Sequence, residues 1–199
     1  MELRQYSVDE RLPDGEHVTI RAIGADDKAA LVALFDRLTP ETIYYRFHGA
    51  KKRLSRKELI YLTELDFHRK AALVAVLGAG PDQRIVGVAR YAVDPESSIR
   101  RAEFAVTVED EQQGRGIGTR LLEHLARVAR EEGFEELEAF VLCENLPMIR
   151  LLEGSGRVLR RTAEARVCHL ILTTRSEDCP AREPAVAAST AVESVFGNR

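Results

Sequence analysis

The chain has 199 residues, 45% of them hydrophobic and 31% charged, with a formal net charge of −3. That composition fits one globular domain with a sizeable core, and the charge excludes a nucleic-acid binder that relies on bulk positive charge. The polar residues 1–16 lack the apolar stretch of a signal peptide, and the longest apolar run, 71–79, is too short to cross a bilayer.

His17 to Ile23 alternates as a strand, after which Asp26 or Asp27 can cap a helix that runs to about Leu38. Thr39-Pro40-Glu41 reads as a second helix start, and Ser55-Arg56-Lys57-Glu58 as the capping box of a third. Between them Arg46, Lys51, Lys52, Arg53, Arg56 and Lys57 form a basic segment without an acidic residue, either a solvated surface or a docking patch for an acidic or phosphate-bearing partner. Ala71–Leu77 and Arg84–Val93 read as a hairpin, with a turn at 94–98 leading into a strand over Arg100–Val108. A long helix follows, with Ile117, Leu121, Leu122, Leu125, Val128 and Ala129 on one stripe and Gly133 as its stop. Next come a strand at Leu137–Leu142, a short helix from about Asn145, and closing strands at Arg157–Ala163 and Ala165–Thr173. Residues 176–199 are rich in Ala, Pro and Ser and read as a mobile tail. The predicted fold is α/β, a mixed and mostly antiparallel sheet flanked by helices, in one domain over 17–175.

Gln113-Gly114-Arg115-Gly116-Ile117-Gly118 joins the fourth strand to the long helix. Alternate glycines let the backbone turn sharply and approach a ligand, and the first-turn N–H groups of a helix have no internal partners. Such a loop suits a phosphate or pyrophosphate held by main-chain donors. Dinucleotide and P-loop readings are weak, because Thr119 occupies the last glycine position of Gly-x-Gly-x-x-Gly and no Gly-Lys-Ser/Thr appears. Cys143, Cys168 and Cys179 give neither a zinc spacing nor a disulfide framework, so reduced thiols in a cytoplasmic protein are expected. His68, His124 and His169 fit no metal-ligand spacing, His124 is expected at a helix surface, and no metal site is expected.

This order of elements, with Gln113, Gly116 and Gly118 at the fixed positions of Gln/Arg-x-x-Gly-x-Gly/Ala, resembles the GNAT acetyltransferase superfamily. Within it, Leu12-Pro13-Asp14-Gly15, the run from Leu38 to Phe47, and Ala102–Val106 are similar to the acetyltransferase domains of bacterial protein lysine acetyltransferases. The resemblance implies acetyl-CoA as co-substrate and a protein substrate such as an acyl-CoA synthetase, acting as a monomer or homodimer. Members of that group often carry a regulatory domain, for which the short segment before the first strand leaves no room.

On this resemblance Gly114, Arg115, Gly116, Ile117, Gly118 and Thr119, with Gln113, would hold the pyrophosphate, and the backbone of Val106, Thr107 and Val108 the pantetheine arm. Asn145 would meet the cofactor from the other side, or cap the short helix, or both. Glu103 is the candidate general base: alternation places it with Ala105 and Thr107, and a partly apolar cleft would raise its pKa toward a useful range. An ordinary solvent-facing strand glutamate is the alternative. Many family members protonate the leaving thiolate with a tyrosine on the helix after the fifth strand; this chain has Arg150-Leu151-Leu152-Glu153 there, and Tyr91 reads as a packed sheet residue. A small-molecule amine acetyltransferase and a silent acetyl-CoA sensor are therefore the rival functions.

Overall fold

Apolar residues that alternate along the chain pair off as strands, and those spaced three and four apart line helices, in a computed structural model describing residues 3–93 and 100–175. Eight strands, β1 (Ser7–Arg11), β2 (His17–Ala22), β3 (Lys70–Leu77), β4 (Arg84–Ala92), β5 (Arg101–Val108), β6 (Glu136–Leu142), β7 (Val158–Glu164) and β8 (Val167–Thr173), form one sheet. Its order is β1-β2-β3-β4-β5-β6-β8-β7, and every neighbouring pair is antiparallel except β5–β6. The helices are α1 (Lys28–Arg37), α2 (Pro40–Phe47), α3 (Arg56–Thr63), α4 (Ile117–Glu131) and α5 (Leu146–Gly154). The mixed, mostly antiparallel α/β architecture is the one expected.

The α4 stripe behaves as its spacing predicts: Ile117, Leu121, Leu122, Leu125, Val128 and Ala129 are all buried against the sheet. Burying each large apolar side chain contributes roughly 1.5–3 kcal/mol. Local capping chemistry is also as read. The N–H of Thr42 donates to Thr39 Oγ1 at the start of α2, and Ser55 and Glu58 form a reciprocal capping box on α3. Asp27 is the N-cap residue of α1, as expected, but its carboxylate makes no capping bond there, because it accepts from Gly24 N–H and binds Arg21.

The polar segment at 1–16 was expected to lie outside the domain. Instead Ser7–Arg11 pairs with Arg21–His17 as the edge strand β1, and Leu3, Tyr6 and Leu12 are buried. The β1 burial pattern alternates only between exposed and half-buried, so no apolar signal marked it. The thiol expectation fails too: Cys143 and Cys168 are joined in a disulfide, with Cα atoms 5.3 Å apart. The β6–β8 ladder sets Val141 opposite Cys168 and carries Cys143 to the same edge, a proximity that a separation of 25 residues does not reveal. The pairing removes two of the three thiols from the support for a cytoplasmic location. Among the described residues no helix is long and apolar enough to cross a membrane. The 94–98 turn, Cys179 and the tail at 176–199 lie outside the described residues.

His124 was expected on the helix surface and is only 7% exposed. The Tyr6 hydroxyl meets its Nδ1, and Nε2 faces Glu10 Oε1 at 3.2 Å. Desolvation is the main cause that lowers its pKa from the ordinary 6.5, with Glu10 opposing. Folding therefore favours the neutral ring, which accepts from Tyr6. This stabilisation is complete above pH 6.5 and is lost as the pH falls through that value toward the folded-state pKa. The His124→Gln variant is expected to lose Tm less steeply than wild type as the pH drops from about 7.5 to about 5.5. Thermal unfolding followed by circular dichroism measures this, and equal slopes would refute the coupling.

Candidate functional site

The β5–β6 pairing is registered only at Arg101↔Glu136, Ala102↔Leu137 and Glu103↔Glu138. Beyond Glu103 the two strands diverge, and a cavity of about 590 Å³ opens there, walled by residues 103–108 of β5 and by Phe140 and Val141 of β6. On its other side β5 stays paired with β4 as far as Val108↔Gly87, so the strand remains extended while one edge faces the cavity. Buried main-chain polar groups need partners, and an edge released from its neighbour offers donors and acceptors to a ligand with amide groups.

After β5 the chain makes a short turn at Asp110–Gln112 and enters the glycine loop. Gln113 is turned back, its Nε2 donating to Val108 O at 3.1 Å. Gly114 and Gly116 take φ of +74° and +89°, the left-handed region that L side chains enter at a cost. Gly116 is the N-cap of α4, and the first intrahelical bond runs from Arg120 N–H to Gly116 O at 3.1 Å. The N–H groups of Ile117, Gly118 and Thr119 therefore precede the helical ladder, at the positive end of the helix dipole. Gly118 has a different reason to lack a side chain: a Cβ there would lie 2.4 Å from Leu151 Cδ1 of α5.

Helix α2 supplies the facing wall through Glu41, Thr42, Tyr45, Arg46, Phe47 and His48. Its start is tied to the loop side by Asp110, which accepts from Thr39 N–H (2.9 Å), Thr39 Oγ1 (2.7 Å) and Thr42 Oγ1 (2.7 Å). Glu109, next to it and buried, binds Arg37 of α1 and Arg84 of β4. These α2 residues were not singled out as site residues in the sequence, because their fold on the sheet is set by contacts some 65–100 positions apart. Tyr45 donates to Glu41 Oε1 at 2.9 Å, the leading cause of its raised pKa. His48 is lowered by desolvation and by the charge of Arg46.

Glu103, Val106, Thr107, Val108, Gln113, Gly114, Gly116, Gly118, Thr119 and Asn145 all line this one cavity. Two expected residues do not. Ile117 is buried in the core, and the Arg115 side chain points to Asp14 and Glu16. Asn145 Oδ1 accepts from Met148 N–H at 3.2 Å, so the capping role is realised beside its place on the wall. Glu103 does not sit among apolar neighbours only. Its charge acts on Arg46, half-buried on α2, and on Arg90, 2% exposed on β4. Burial, then the charge of Arg90, brings Arg46 down to about 10, against the pull of Glu103 and Tyr61. The Tyr61 ring lies 4.7 Å from the Arg90 guanidinium. The partly apolar cleft expected around Glu103 thus also holds two cations. Tyr91 is buried, as expected, and donates to His68 O at 3.2 Å. Of the basic segment, Lys51 pairs with Glu58, and Lys52, Arg53, Arg56 and Lys57 are exposed. Among the described residues no group of His, Cys, Asp or Glu is placed to hold a metal ion.

The family model described as "Acetyltransferase (GNAT) family" matches residues 32–156. Acetyltransferase PA5475 of Pseudomonas aeruginosa is 35% identical over 152 residues, which is 76% of this chain and 81% of that protein. Acetyltransferase Pat of Mycolicibacterium smegmatis is 35% identical over 119 residues, but the match takes in 59% of this chain and only 34% of that longer protein. Among solved structures, the GNAT domain of S. lividans PAT superposes with a TM-score of 0.76 at 32% identity, covering 84% of this chain and 96% of that one.

Gly116→Val places a branched Cβ at a left-handed φ and 3.3 Å from Pro13 Cδ. Left-handed strain of about 1–2 kcal/mol per residue converts to a roughly tenfold change in binding if the loop is displaced. The dissociation constant for acetyl-CoA, measured by titration calorimetry, is expected to rise at least about tenfold. Unchanged affinity would show that this loop does not hold the cofactor.

Proposed function

Since the chain belongs to the GNAT acetyltransferase family, we propose that it moves the acetyl group of acetyl-CoA to a protein lysine, with Glu103 as the general base. The observation that carries this reading is one cavity joining the glycine loop, the released edge of β5 and the Glu103 carboxylate. The loop N–H groups receive the pyrophosphate, and the β5 edge from Val106 to Val108 pairs with the amide-bearing pantetheine arm. Asn145 contacts the cofactor from the α5 side.

The chemistry is direct acyl transfer. The lysine ammonium gives one proton to Glu103, and its nitrogen then attacks the thioester carbonyl carbon. An N–C bond forms and the C–S bond breaks. As the tetrahedral intermediate collapses the nitrogen loses its second proton, and the sulfur departs as a thiolate that takes up that proton directly or through water. Main-chain donors of β5 near Val106 stabilise the tetrahedral oxygen. Helix α5 brings no tyrosine to this step. Tyr45 of α2 is the phenol on the cavity wall among the described residues.

The lysine assignment leans on the likeness of 12–15 and 38–47 to protein lysine acetyltransferases, and on the relatives named Pat. The charge of Arg46 at the same wall favours a second reading, a small amine that carries an acidic group. Single-turnover transfer from radiolabelled acetyl-CoA to a panel of lysine-containing proteins, acyl-CoA synthetases among them, and to small amino acids separates the two. Glu103→Gln is expected to lower the transfer rate by about 10²–10⁴-fold while the acetyl-CoA dissociation constant moves less than about threefold. A rate loss below tenfold would remove Glu103 from the base role. Acetyl-CoA binding without transfer to any amine would leave a sensor.

A further inference from the structure

The family resemblance places Arg115 among the loop residues whose main-chain N–H groups would hold the pyrophosphate, and its guanidinium is engaged elsewhere. Nε donates to Asp14 Oδ2 at 2.7 Å, and the two terminal nitrogens reach Gln112 Oε1, Glu16 Oε2 and Asp14 Oδ2. Three acceptors thus hold one planar group, and Asp14 and Glu16 belong to the turn between β1 and β2, about 100 positions away in sequence. That turn is itself stiff. Leu12 N–H donates to Glu16 O (2.8 Å), Gly15 N–H to Leu12 O (2.9 Å) and Glu16 N–H to Asp14 Oδ1 (3.0 Å). Leu12 anchors it in the core, and Pro13 lies against Gly116, close enough that a Cβ there would be 3.3 Å from Pro13 Cδ.

We propose that the β1–β2 turn is a clamp on the cofactor loop, and that Arg115 is a positioning residue acting through Asp14 and Glu16, not a phosphate ligand. This inference rests on the reading that the loop holds the acetyl-CoA pyrophosphate. The loop must keep two left-handed residues, Gly114 and Gly116, on either side of Arg115 so that the first α4 N–H groups converge. Glycine samples many conformations, so a free loop loses much entropy on ordering. An arginine fixed at three points, with its backbone between the two glycines, meets that cost before the cofactor arrives. The Asp14 carboxyl agrees with such a role, being held below its ordinary range by Glu16 N–H and then by Arg115. The clamp also gives the polar edge strand β1 a purpose in the site. A single exposed ion pair does little, whereas a guanidinium shared among several fixed acceptors has the geometry in which such contacts count.

The test measures the acetyl-CoA dissociation constant by titration calorimetry, with kcat and KM from steady-state transfer, on the full chain. Arg115→Ala is expected to weaken acetyl-CoA about tenfold and raise its KM in proportion, with kcat within about twofold. The Asp14→Asn, Glu16→Gln double variant decides the role. It is expected to weaken binding severalfold, because the guanidinium loses its anchors, and the triple variant should bind no worse than Arg115→Ala, as for one coupled unit. A phosphate ligand released from two carboxylates would instead bind acetyl-CoA as well as wild type or better, and that result overturns the clamp. Unchanged affinity in Arg115→Ala overturns it as well. Thermal unfolding run beside the titrations identifies any variant that fails to fold, and Arg115→Lys, which keeps the charge without the fork, should recover only part of the loss. If wild type binds acetyl-CoA and Gly116→Val binds as tightly, the cofactor reading itself has failed; if only the Arg115 variants are silent, the clamp has.

Discussion

Three residue pairs of parallel ladder between β5 and β6, and then none, are the constraint on which the site depends. If the ladder continued, the edge of β5 would be sealed and no cavity would exist between the strands. The divergence is sustained from both sides. On one, β5 is held extended by β4 through Val108↔Gly87; on the other, β6 is held by β8 along its whole length, from Glu136↔Thr173 to Leu142↔Val167. Each strand of the open pair is therefore satisfied on its outer edge, and the polar main chain facing inward is left for a ligand. A β8 inserted between β6 and β7 is what makes this possible, since it pairs β6 where β5 no longer does.

Around that opening the walls are fixed by charge rather than by more sheet. Buried Glu109 ties α1 and β4 to the end of β5, and Asp110 next to it gathers three donors from the start of α2. Arg115 does the same for the glycine loop with the β1–β2 turn. These ties join segments that no regular element connects, within a few residues of each other just past β5. The loop that follows the strand is short, and its position is set by carboxylates and guanidinium groups whose partners come from four different elements.

What could be read in the sequence was what local chemistry dictates. The α4 stripe, the Ser55–Glu58 capping box, the proline-led start of α2 and the glycine loop depend on residues within a few positions of one another, and all occur as read. What escaped depends on partners far along the chain. β1 has Val8 as its one apolar residue and becomes a strand because β2 offers its edge. His124 is buried because Tyr6 and Glu10 of the first segment cover it. Cys143 meets Cys168 through the β6–β8 register, and Tyr45, Arg46 and His48 reach the cavity because α2 folds across the open strands. Arg115 is the instructive case: its position in the loop was legible, but the direction of its side chain was decided by a turn a hundred residues away.

The charges near Glu103 bear on how an amine could be deprotonated there. A carboxylate among apolar groups gains basicity from desolvation, whereas one facing guanidinium groups is favoured in its charged form. Glu103 shares its surroundings with Arg46 and Arg90, on both of which its charge acts. The same cations act on the incoming ammonium in the opposite sense, since like charge disfavours its protonated form. On the proposed reading those cations make the substrate ammonium a better acid. The burden then falls on placing the amine, and placement is what a cavity bounded by a rigid strand, a tethered α2 and a clamped loop is built to supply.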